Sequence, residues 1–137
     1  MVRVELVWQG DLRFTARSGD IELTLDSHSK AGPSPVQTLA FALAGCMAMD
    51  VASILQKGRH PFTGLKAALT GTRAESEPRR LTRLGLHFMI EGTVLSDTVE
   101  RAITLSREKY CSVWHSMRQD IGFDVTFELL GGQESGA

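Results

Sequence analysis

The chain has 137 residues, 42% of them hydrophobic and 23% charged, with a net charge of -1. That is the balance of one ordinary globular domain, which buries roughly two thirds of its unfolded surface without help from a disulfide or metal. It excludes binding to nucleic acid or an anionic membrane by bulk charge, so neither is expected as a partner.

The N-terminus, Met1-Val2-Arg3-Val4-Glu5, lacks the basic-then-apolar pattern of a secretory signal. Val2, Val4, Leu6 and Trp8 alternate with polar residues, the period of a half-buried strand. Gln9-Gly10-Asp11 turns the chain into a second strand carried by Leu12, Phe14 and Ala16. Ser18-Gly19-Asp20 turns it into a third with Ile21, Leu23 and Leu25. Asp26 to Pro35 reads as a loop ending in a helix start, with Ser34 as N-cap and Pro35 in the first helical position.

The helix is expected to run to about Lys57, with Gly58 as its C-cap and Pro61 beyond. Its middle, Leu39 to Met49, is apolar all round, so burial on every side is expected. That stretch is far short of the ~20 residues of a membrane span, and a soluble cytoplasmic chain is expected. Covering such a helix in so small a chain calls for a homodimer packed through Ala40, Ala44, Gly45 and Ala48.

Leu65 to Thr72 and Leu84 to Ile90 read as two strands joined by the charged segment Arg73 to Arg83. Asp97 and Glu100, spaced like a capping box, open a second helix. Tyr110-Cys111-Ser112 interrupts it, and a short helix continues to about Asp120. Phe123 to Leu129 forms the last strand, and Gly131 to Ala137 a frayed tail. The order βββ-α-ββ-α-α-β predicts a single α+β domain over 1–137, with antiparallel sheets around a buried core helix.

Two cysteines, Cys46 in the core helix and Cys111 at the break, are the candidates for chemistry. The plain alternative is that both are small buried hydrophobes. Cys111 and His115 are spaced i, i+4, as are Cys46 and Asp50. Either pair could offer two ligands to zinc, but nothing in the sequence joins the pairs, and no metal or cofactor is assigned. Otherwise Asp50 ends the buried run by reaching water or an arginine, His115 is a surface or pocket residue, and Trp114 walls a pocket or packs in the core. His28 and His87 read as solvated.

Pro33-Ser34-Pro35, the small-residue run to Ala44-Gly45-Cys46, and Glu108-Lys109-Tyr110-Cys111-Ser112-Val113 resemble the OsmC/Ohr family, in its OsmC-like branch. The resemblance covers nearly the whole chain. It implies an intertwined homodimer with active sites at the subunit interface, and a stress-response thiol peroxidase. Cys46 would be the peroxidatic thiol, Cys111 the resolving one, an external dithiol the reductant and a small apolar hydroperoxide the substrate. The chain departs from the family at Val36, where a glutamate follows the helix-opening proline in the active peroxidases. The family's thiolate-supporting arginine has Arg13, Arg17 and Lys30 as candidates. A protein that binds a small ligand, or a thiol sensor, on the same scaffold is the alternative.

Overall fold

The computed structural model describes residues 1–131, so the expected tail lies almost wholly outside the described residues. The chain divides into two compact units, Met1–Phe41 and Ala42–Ala137, with the boundary inside the long helix α1, Pro35–Lys57. The α+β class and the expected element order are both found.

In the first unit, strands β1 (Glu5–Gly10), β2 (Arg13–Ser18) and β3 (Ile21–Asp26) form an antiparallel meander. Gly10 and Gly19 take left-handed conformations at its two turns, φ 106° and 59°, which glycine adopts at no steric cost. The apolar residues of this sheet are less covered than their alternation suggested. Leu6, Trp8 and Ile21 are all exposed in the single chain.

Asp26 closes the sheet and organises the loop that follows. Its Oδ1 accepts the His28 amide at 2.9 Å, and its Oδ2 accepts the Ala31 amide at 2.9 Å and Arg13 Nε at 3.2 Å. The Ala31 and His28 amides hold this buried carboxyl well below the usual carboxylate range, with Arg13 adding to them. Helix α1 starts at Ser34 as expected. Gln37 donates its amide to Ser34 Oγ at 3.2 Å and accepts the Ser34 amide on Oε1 at 2.9 Å, the reciprocal bonds of a capping box.

In the second unit, β4 (Phe62–Arg73), β5 (Leu81–Gly92) and β6 (Gly122–Leu130) form a sheet in that order. The central strand β5 buries Leu84, Leu86, Phe88 and Ile90 on one face. On the other, His87 bonds Thr126 Oγ1 at 2.7 Å and Glu128 Oε1 at 2.9 Å. From α1, Leu43, Met47, Val51 and Leu55 recur every fourth residue and enter the core.

All-round burial of α1 is not observed. Phe41 and Met49 are 70% and 74% exposed, because a helix laid against one sheet buries only the stripe that faces it. The length argument against a membrane span also needs correction. The whole helix has 23 residues, and its best window has a mean hydropathy of 1.8, enough by length and composition to cross a bilayer. The buried stripe in its second half is what marks it as a core helix.

Gly58 follows the last helical residue, Lys57, as the C-cap expected. Arg59, one position on, takes the left-handed conformation, with φ 58°. Its amide donates to the Gln56 carbonyl at 3.0 Å and the His60 amide to the Leu55 carbonyl at 2.9 Å, a Schellman closure.

The expectation of purely antiparallel sheets fails at β6, which pairs parallel to β5, from Arg83↔Gly122 to Glu91↔Leu130. Parallel neighbours need a long crossover, and α2 (Ser96–Leu105), a π-helical turn (Ser106–Tyr110) and α3 (Ser112–His115) supply it. The expected Asp97/Glu100 capping box is absent as well. Leu95 caps α2 without any side-chain bond, and burial of Val99, Ala102 and Ile103 anchors the helix instead.

Candidate thiol site

The crossover sets up the site. At the π-helical turn the Cys111 amide reaches back to the Ser106 carbonyl at 2.7 Å, one residue further than an α-helix allows. The chain leaves that turn at Cys111 in an extended conformation, φ -74° and ψ 96°, and α3 begins at the next residue. The interruption expected at Tyr110-Cys111-Ser112 is therefore found, though α3 ends at His115, well short of Asp120. The break turns Cys111 inward, where it is fully buried.

Cys46 faces it from α1, half-buried and one helical turn before Asp50. The two sulfurs and an Asp50 carboxylate oxygen all lie within 4.8 Å of one another, and both thiols are free. Asp50 is half-buried, and among the described residues it pairs with no arginine. It accepts a 2.7 Å hydrogen bond from Ser106, whose side chain is fully buried. The i, i+4 spacing of Cys46 and Asp50 was legible in the sequence; Ser106 carried no signal that joined it to them.

The two thiols have different surroundings. Cys111 caps α3, its Sγ accepting the Trp114 amide at 3.4 Å. That bond favours the thiolate. Burial outweighs it, and with Cys46 adding to the effect the thiol is pushed up to about 11. Cys111 is therefore a neutral thiol at physiological pH. A neutral buried thiol is a poor nucleophile until it gives up its proton, so the first attack on a substrate falls to the more accessible Cys46.

Trp114 belongs to the core rather than to an open pocket. It is buried against Phe123 with ring centroids 4.6 Å apart, and the Arg107 guanidinium lies 4.9 Å over the Phe123 ring. His115 points elsewhere, its Nε2 3.0 Å from the Arg107 carbonyl, so the Cys111/His115 pair does not converge. Of the basic candidates, Arg13 pairs with Asp26 and Arg17 with Glu22, both within the first sheet.

Relatives share this arrangement of chain. Protein YhfA of Escherichia coli K12 is 36% identical over 132 residues, covering 94% of this chain and 98% of its own. A crystal structure of an Aquifex aeolicus protein superposes with a TM-score of 0.87 at 27% identity, covering 94% of this chain and 96% of that one. The organic hydroperoxide resistance protein OsmC of Legionella pneumophila shares the fold, with a TM-score of 0.71 at 13% identity and coverage of 93% and 96%. The family model described as OsmC-like protein matches residues 27–126. With that match and the fold beside it, the chain belongs to the OsmC-like family.

Proposed function

We propose that this chain reduces organic hydroperoxides through Cys46 and Cys111. The observation that carries the reading is the approach of the two free sulfurs to within 4.8 Å, with the more accessible one on α1 and the buried one at the helix break. A redox or peroxide-resistance role fits the family and the name of the Legionella relative.

In the proposed cycle the Cys46 thiolate attacks the outer peroxide oxygen. The O–O bond breaks, one proton is taken up, an alcohol leaves, and Cys46 becomes a sulfenic acid. The Cys111 thiol then displaces water from that sulfenic acid and a disulfide forms. An external dithiol reduces the disulfide and is itself oxidised. No resident cofactor enters these steps, and the cycle suits a reducing cytoplasm.

The test is turnover of an organic hydroperoxide by a dithiol, with thiols counted before and after. Cys46→Ser is expected to bring the rate to background. Cys111→Ser is expected to keep one round of oxidation at Cys46 and lose recycling. Wild-type chain that keeps both thiols through an excess of several hydroperoxides overturns the proposal. Val36, and the pairing of Arg13 and Arg17 within their own sheet, favour the second reading, a small-ligand-binding or thiol-sensing protein. That result would select it.

The working unit in this proposal is a homodimer. Exposed Phe41 and Met49 on α1, and Trp8 and Ile21 on the first sheet, are apolar surface that a second copy would cover. Light scattering is expected to give twice the 15.0 kDa chain mass in dilute solution. A stable monomer would refute it.

A further inference from the structure

We propose that Cys46, Asp50 and Cys111 form a three-ligand site for a thiophilic divalent cation of the zinc class, with a fourth position open to water. The two sulfurs suit such an ion, being softer donors than magnesium or calcium prefers, and zinc also accepts a carboxylate oxygen as a ligand. Around tetrahedral zinc, donors at about 2.0–2.3 Å from the ion stand roughly 3.5–3.8 Å from each other. The three atoms already lie within 4.8 Å of one another, so closure on an ion needs movement of about 1 Å at most.

The ligands are also held from behind. Ser106 donates to Asp50 Oδ2 at 2.7 Å, and the Trp114 amide donates to Cys111 Sγ at 3.4 Å. Hydrogen bonds of this kind orient carboxylate and thiolate ligands at metal centres. The fold supplies both before any ion arrives. Among the described residues Asp50 is in no ion pair. Cys46 and Asp50 come from one face of α1 and Cys111 from the crossover, so the ion would clasp two segments of the second unit.

The ion, two thiolates and one carboxylate leave the site with a net charge of -1. This goes beyond the peroxide reading, since ion-bound thiolates and a disulfide exclude each other.

Cobalt(II) is the probe, added without oxygen to the fully reduced chain. The expected result is one ion per chain, thiolate-to-cobalt absorption, and displacement by zinc. Cys46→Ser and Cys111→Ser are each expected to remove that absorption or much of it. Ser106→Ala should leave it in place while weakening binding about 10–100-fold. His115→Ala is expected to change nothing. The wild-type titration needs no variant to fold, and absence of thiolate absorption overturns the site. Equal binding by Cys111→Ser, or loss on His115→Ala, overturns it too. The peroxide assay run with a chelator present reads the thiol cycle separately, so either proposal can fail alone.

Discussion

Joining Cys46 to Cys111 is expected to stabilise the chain by about 4 kcal/mol at 25 °C, against native-state strain that subtracts from the gain. The sulfurs sit 65 positions apart in sequence, and a cross-link there removes much of the freedom of the unfolded chain. For a domain of this size the melting temperature of the oxidised protein should rise by roughly 10 °C. The comparison is thermal melting of the reduced and hydroperoxide-treated protein, with Cys111→Ser as a control that should show no such difference. An oxidised form that melts at or below the reduced one would mean that the sulfurs cannot close without distorting the fold.

Trp114→Ala is expected to destabilise the chain by about 3–5 kcal/mol, the usual cost of truncating a buried aromatic residue. The residue is 5% exposed and its ring packs on Phe123, while its backbone amide donates to Cys111 Sγ. Loss of the ring should therefore loosen α3 and expose a thiol that is otherwise buried. Denaturant unfolding gives the first quantity, and the reaction rate of Cys111 with a thiol reagent in Cys46→Ser chain gives the second. Trp114→Phe should recover most of both. Unchanged thiol reactivity in Trp114→Ala would show that the π-helical turn alone places Cys111.

The elements that announced themselves in the sequence were those with a strong local period or cap. The alternation Leu84, Leu86, Phe88, Ile90 marked the buried face of β5, and Ser34-Pro35 marked the start of α1 to the residue. The break at Cys111 was also legible. What could not be read depends on non-local pairing. Nothing in Phe123 to Leu129 says whether its neighbour runs parallel or antiparallel. Asp50 and Ser106 stand 56 positions apart, and only the crossover brings them together. The apolar middle of α1 suggested complete burial because composition reports no direction, whereas one sheet covers one stripe. A capping box was read at Asp97 and Glu100 from spacing alone, and burial of the α2 stripe made it unnecessary.

The parallel pairing of β5 with β6 also sets an order of assembly. The β4–β5 hairpin is local and can form early, but β6 docks only after the whole helical crossover has been laid over the sheet. Phe123, on that last strand, is the ring against which Trp114 packs. During synthesis the ring behind Trp114 therefore arrives last, long after the helix bearing Cys46 has been made. A nascent or truncated chain ending before Gly122 would carry both thiols without the strand on which Trp114 packs.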